Sequence, residues 1–169
     1  MALSGEIGLH AALQQTPTTS SPLGDPGYPL NYFKTWALTS GVGANQADRV
    51  WRAQRTIAAS ATDSLDMAGS LVDVYGATFT LARLKGLMVA ASGANANNVN
   101  VTRSAANGVP IFIAAGDGIV IRPGGAFIWF APDATGIAVT AGSADLIDII
   151  NGAGGTSVTY DIMAIGASA

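Results

Sequence analysis

The sequence predicts an all-β protein, and two observations support this. From residue 49 onward the chain is a succession of short apolar or alternating segments separated by turn residues. It also contains 21 glycines and 7 prolines in 169 residues, which suits many short turns better than long helices. Such a pattern is typical of an antiparallel β-sandwich, most commonly a jelly roll. We therefore expect a jelly-roll β-sandwich over residues 49–169, preceded by an extended N-terminal arm and linker over residues 1–48.

Nine segments of the predicted sandwich have the composition of strands: 49–59, 77–90, 97–103, 109–114, 117–122, 126–131, 136–140, 145–150 and 156–166. In residues 122–125, Pro and Gly occupy the two central positions, as a type II turn requires. Apolar and polar residues alternate over 158–162, which predicts one buried and one solvated face.

The second predicted strand has an irregular pattern. Phe79 is apolar, but Arg83 and Lys85 then occupy the same parity along the strand. A strand with one buried face needs a phase slip here, so we expect a β-bulge near Ala82. A helical turn over residues 80–88 is the alternative.

The segment 126–130 is apolar on both faces. A strand of this kind is either central in a two-layer core or covered by another subunit.

The first 48 residues differ in composition from the rest. Apolar residues alternate over 7–13 as in a short strand, although Leu3, Ile7 and Ala11 also suit a helical turn. The stretch 14–29 is rich in Thr, Ser, Pro and Gly, and its prolines favour extended backbone. The arm is either a flexible tail or a segment that wraps on a neighbouring subunit. Four aromatic residues favour the second interpretation, because docked rings are strong anchors: Tyr28, Tyr32, Phe33 and Trp36.

Charged residues make up only 11% of the chain, against roughly 25% in an ordinary soluble domain. A surface of small residues has little side-chain entropy to lose on contact, which favours an assembly component. The net charge of −3 without a basic run argues against nucleic-acid binding. We find no apolar stretch long enough to span a membrane and expect no secretory signal.

The sequence contains no recognisable catalytic or metal-binding motif. One histidine and no cysteine provide no metal-ligand cluster of the usual spacing. The motifs of serine hydrolases and phosphate-binding loops are absent, so we expect no enzyme activity, no cofactor and no small-molecule substrate. Asp117 and Asp133 are expected to stabilise turns. The residues of the pairs Asp63/Asp66 and Asp145/Asp148 face opposite sides of a strand, so neither pair makes a chelate on its own, and a calcium site is the less favoured alternative.

Arg49, Arg52 and Arg55 form the one basic concentration in the chain. In a strand, Arg49 and Arg55 share a face with Trp51, and Arg52 lies opposite. The cluster either protects an edge strand from mispairing or contacts acidic residues of a partner subunit.

Several segments resemble small all-β structural proteins of tailed bacteriophages: 43–48, 64–71, 122–125, 131–136, 139–142 and 158–162. The resemblance covers roughly residues 40–166 and is carried by turns and strand edges. It implies a virion decoration or cement protein on the outer capsid surface, made in the cytoplasm of the host bacterium. The implied partners are further copies of itself, as homodimer or homotrimer, and the major capsid protein.

Two other functions remain open. A carbohydrate-binding module of a head fibre or tail would need an exposed aromatic platform, which Trp129 could supply. A head–tail or tail structural protein of the same fold would differ only in its position in the particle.

Overall fold

The computed structural model describes residues 2–16, 24 and 27–169. These residues form strands and turns without a helix, and hence contain no helix capable of crossing a membrane. The strands are β1 Gly5–Gln15, β2 Tyr28–Ser40, β3 Gln46–Ala47, β4 Arg49–Ile57, β5 Thr62–Asp66, β6 Leu71–Val72, β7 Thr78–Phe79, β8 Arg83–Ala91, β9 Val99–Arg103, β10 Gly118–Ile121, β11 Ala126–Phe130, β12 Ile137–Ala138, β13 Leu146–Asn151 and β14 Val158–Ala167. The predicted all-β class is confirmed.

Two antiparallel sheets form the body of the protein. The front sheet has the strand order β11-β8-β14-β4, with β12 also pairing to β8, and the back sheet has the order β10-β9-β13-β5. Both sheets contribute to one hydrophobic core, which includes Trp51 and Tyr160 from the front sheet and Leu65 and Ile147 from the back sheet. The protein body is therefore a two-layer, sandwich-like structure.

Side-chain alternation determines which face of each strand is buried. Val158, Tyr160 and Ile162 point into the core from β14, as the sequence pattern predicts. The predicted type II turn over residues 122–125 is also present, because Gly124 has a φ of 77° and the Gly125 N–H donates to the Arg122 carbonyl oxygen at 2.8 Å.

The second predicted strand is interrupted twice. It breaks over residues 80–82, between β7 and β8. In β8, Leu84 and Gly86 pair with consecutive residues of β14, so Lys85 is the extra residue of a bulge. Leu84 and Leu87 therefore both reach the core despite their odd spacing. A phase slip is needed, as predicted, but the bulge lies at Lys85 rather than near Ala82, and the helical turn over 80–88 is wrong.

The predicted strand over 109–114 is also wrong, because this segment consists of turns. The Arg103 guanidinium donates to the carbonyl oxygens of Phe112 and Ile113 at 3.2 and 2.9 Å. The Ile111 N–H bonds the Val109 carbonyl oxygen within the same segment. These hydrogen bonds occupy backbone groups that would otherwise pair with a neighbouring β-strand.

The segment 126–130 forms β11 at the edge of the front sheet, so its interpretation as a central strand is wrong. Phe127 and Trp129 pack against the core, whereas Ile128 points outward and is 49% exposed. The alternative, cover by another subunit, stays a prediction.

Residues 5–15 and 28–40 pair as a long antiparallel N-terminal hairpin, in register from Gly5 opposite Leu38 to Gln15 opposite Tyr28. Strand β2 then pairs in parallel with β3. The helical turn considered for residues 3–11 is therefore wrong, and the short-strand alternative is confirmed. Three of the prolines expected to extend the arm, Pro17, Pro22 and Pro26, lie outside the described residues.

Candidate interaction surface

The N-terminal hairpin is amphipathic. Cross-strand partners in an antiparallel pair project from the same face, so the register of β1 and β2 sorts their side chains into two sets. One set, here called the apolar hairpin face, carries a single charge, Lys34. Its large side chains are Ile7, Leu9, Leu13, Tyr28, Leu30, Tyr32, Trp36 and Leu38. The opposite face carries smaller and more polar residues, together with Phe33.

The base of the apolar hairpin face packs on the outer side of the front sheet. Leu38 and Ile7 join Met163 and Ile165 in a second hydrophobic cluster, separate from the main core. The rings of Trp36 and Phe130 lie 5.4 Å apart between their centroids. The hairpin is thus attached to the body at its base by apolar contacts.

The outer half of the same face is not covered by the rest of the described chain. Its five large apolar side chains are 44–66% exposed: Leu9, Leu13, Tyr28, Leu30 and Tyr32. An isolated two-stranded hairpin is at best marginally stable in water. Covering this face would therefore stabilise the hairpin.

The outer side of the front sheet offers a second uncovered apolar area. Ile128, Met88 and Met163 lie in one row across β11, β8 and β14. An open groove of about 390 Å³ runs along Met88 and Met163 toward Arg52 and Asp161. The Asp161 carboxylate accepts a hydrogen bond from Gln54 Nε2 at 3.0 Å. The groove is thus apolar at its β8 end, at Met88 and Ala90, and polar at its β4 end, at Arg52 and Gln54, with Asp161 between them.

The predicted aromatic anchors divide between the two hairpin faces. Tyr28, Tyr32 and Trp36 lie on the apolar hairpin face, and Trp36 is half-buried at its base. Phe33 lies on the opposite face, is 71% exposed and makes an edge contact with His10. The sequence analysis did not include Leu13 and Leu30, which share the face of these rings, although the alternation over residues 7–13 signals Leu13.

The three arginines of the basic cluster have separate environments on edge strand β4. Arg49 lies 3.9 Å from the Asp48 carboxylate, and Arg52 lines the groove. Arg55 donates two hydrogen bonds, of 2.5 and 2.9 Å, to the Asp63 carboxylate on β5 of the back sheet. This ion pair connects the edges of the two sheets.

Asp63 also accepts a hydrogen bond from the buried Tyr160 hydroxyl at 2.8 Å. Burial raises the pKa of Asp63, but the hydrogen bonds from Arg55 and Tyr160 and the charge of Arg55 outweigh it, so the pKa lies below its ordinary value. The pKa of Tyr160 is raised by burial and by its bond to Asp63. The cluster is therefore an ionised carboxylate held by two donors.

Lys85, the bulge residue, is a second buried polar site, which the sequence signalled only as a charge at an unexpected parity. Its ammonium donates to the carbonyl oxygens of Val42 and Gln46 at 3.2 and 2.9 Å, and also to that of Gly43. Burial lowers the pKa of Lys85, and the charge of Arg83 adds to this. The Lys85 side chain therefore connects the front sheet to the segment that runs from the loop after β2 into β3.

The remaining candidate side chains have local structural roles. Asp133 accepts the N–H groups of Thr135 and Gly136, and Asp117 accepts that of Ala114, as expected for turn residues. Across residues 2–16, 24 and 27–169, no group of three or more His, Asp or Glu side chains is placed to hold a metal ion. Trp129 packs against the core and does not form an open aromatic platform.

Comparisons with protein families, with curated proteins and with solved structures found no match to this chain.

Proposed function

We propose that this protein is a virion structural protein of a tailed bacteriophage, a decoration protein that self-associates and binds neighbouring major capsid subunits on the outer shell. The observation that carries the proposal is the uncovered outer half of the apolar hairpin face. A hairpin of eleven residue pairs is about 35 Å long, enough to reach a neighbouring molecule. In a monomer this apolar area would remain in water, whereas in an assembly it is buried.

We further propose that the body is a jelly roll, on the basis of its strand order. Numbered along the chain, the eight main strands β4, β5, β8, β9, β10, β11, β13 and β14 form sheets of order 1-8-3-6 and 2-7-4-5. The first and last strands are neighbours, and the chain crosses between the sheets repeatedly. This order supports a doubled Greek key, the arrangement of a jelly roll.

The proposed mechanism is adhesion without chemistry. The ring and leucine side chains of the hairpin supply apolar contacts, and Arg49 and Arg52 supply polar ones. Arg55 is omitted because its guanidinium is engaged by Asp63 within the chain. Many copies bound at once on a shell would convert weak single contacts into high avidity.

Deletion of residues 1–36 tests this function. The truncated protein is expected to remain folded, because none of the described side chains of the deleted segment belongs to the main core. It is also expected to coat preassembled shells less completely than the full chain, as measured by band intensity after sedimentation. Circular dichroism provides the control for folding. Full shell occupancy by the truncated protein would contradict the proposal.

A further inference from the structure

We propose that the apolar hairpin face of one molecule docks on the outer side of the front sheet of a second copy, and fills the groove along Met88 and Met163. This inference rests on the proposed self-association and names the two surfaces that form it. Both surfaces belong to the same chain, so the contact can be reciprocal in a symmetric pair or can continue from copy to copy.

The first support is a contact already present within one chain. The base of the apolar hairpin face, through Ile7 and Leu38, packs on Met163 and Ile165 of the front sheet. The uncovered outer half of the hairpin continues this pattern of large apolar side chains at every second residue. Leu9, for example, follows Ile7 on the same face of β1. The hairpin face is therefore chemically matched to the apolar row of Ile128, Met88 and Met163 on the sheet face.

The second support is the unfilled area that continues from this contact. Met163 belongs both to the packed cluster and to the lining of the open groove. Ile128, in the same row, is 49% exposed and belongs to the edge strand that is apolar on both faces. Docking of one hairpin on another would leave this area in water, whereas docking on the sheet covers both surfaces.

The third support is the size of the contact. Five half-exposed side chains, at about 200 Å² each, present roughly 500 Å² of apolar surface. Covering this surface with an equal area of the sheet, apolar and polar residues together, buries about 1,000 Å² in one contact and about 2,000 Å² in a reciprocal pair. This is the size of a stable protein–protein interface.

The absence of cysteine from the chain allows a direct cross-linking test. A copy carrying Leu30→Cys is mixed with a mass-labelled copy carrying Met163→Cys, and the mixture is oxidised and examined by denaturing mass spectrometry. We expect the mixed disulfide to dominate. Asn31→Cys, on the opposite hairpin face, replaces Leu30→Cys in the control and is expected to reduce the mixed product at least fivefold.

A matched pair of double variants tests the same contact without cross-linking. L13D/L30D places two aspartates opposite each other on the apolar hairpin face, and A12D/N31D places them on the other face. Both variants place two like charges on directly opposed residues of the hairpin. We expect native mass spectrometry to show oligomers for the wild type and A12D/N31D, and monomers for L13D/L30D.

The outcomes separate this inference from the proposed function. Oligomers that persist in L13D/L30D without the mixed disulfide would overturn the docking mode and leave self-association intact. Disulfides formed mainly between two Leu30→Cys copies would indicate hairpin-on-hairpin contact and would also overturn it. A monomeric wild type at all tested concentrations would overturn both.

Discussion

Replacing Lys85 with methionine is expected to lower the free energy of unfolding by about 3 kcal/mol. Methionine retains most of the volume of the lysine stem, so the packing around the bulge is preserved. The substitution instead removes the ammonium that donates to the carbonyl oxygens of Val42 and Gly43 in the loop after β2 and of Gln46 in β3.

The magnitude follows from these acceptors. The Gly43 carbonyl oxygen also accepts the Gln46 N–H at 3.3 Å, whereas those of Val42 and Gln46 depend on the lysine. A fully buried acceptor left without a donor costs about 1–3 kcal/mol, and water reaching these partly buried acceptors recovers some of it. Two such acceptors give about 3 kcal/mol, or a melting temperature lower by roughly 6–12 °C in a chain of this size.

Urea denaturation and calorimetry measure this loss, and Arg83→Met is the matched control. Arg83 is a nearby cation whose guanidinium makes one exposed hydrogen bond, to the Ala134 carbonyl oxygen at 3.0 Å. Its replacement is expected to change stability by less than about 1 kcal/mol. If K85M unfolds within about 0.5 kcal/mol of the wild type, the cost of burying the ammonium cancels its hydrogen bonds, and the reasoning is refuted.

Two further substitutions test the cluster of Arg55, Asp63 and Tyr160 and the β-bulge at Lys85. Asp63→Asn is expected to cost about 1–2 kcal/mol at pH 7, reduced by the partial exposure of its arginine partner. Because the folded-state pKa of Asp63 is lowered, its contribution is present above the ordinary pKa of 3.8 and is lost as pH falls through the folded value. The difference in unfolding free energy between the two proteins, measured by urea titration, should therefore be smaller at pH 3 than at pH 7, and a constant difference would contradict this account. Gly166→Ala places a Cβ against the Arg83 carbonyl oxygen at the bulge and is expected to cost about 2 kcal/mol or more in thermal melts. Gly69→Ala, which has open space, should stay within about 0.5 kcal/mol of the wild type, and equal losses in both would refute the steric argument.

Local alternation predicted most of the strands of the body. Strands β4, β13 and β14 lie close to their predicted bounds because one buried and one solvated face leaves a two-residue period in the sequence. Strand β5, with the sequence Thr-Asp-Ser-Leu-Asp, was missed, since a short edge strand contributes only Leu65 to the core.

The failures have a common cause in partners that lie outside the segment itself. The sequence of residues 109–114 is apolar enough for a strand, but the Arg103 side chain binds its carbonyl groups. The need for a phase slip was visible in the pattern, whereas its position depends on the register of β14 and on the acceptors around Lys85.

The candidate interaction surface was predicted in part. The aromatic residues and the alternation over residues 7–13 are sequence features, and they indicated a segment that docks. Which rings share a face depends on the pairing of β1 with β2, which put Tyr32 beside Leu13 and Leu30 and left Phe33 on the other side.

The sequence by itself determined that this is an all-β chain with few charges and an apolar, aromatic N-terminal segment. Those properties depend on composition and on neighbours along the chain. Only the tertiary structure decided that Arg55 pairs with Asp63, that Lys85 is buried beneath a loop, and that the hairpin leaves half of one face uncovered. Each of these depends on how the strands pair and how the sheets pack in three dimensions, because the pairing and packing determine which side chains meet and which remain in water.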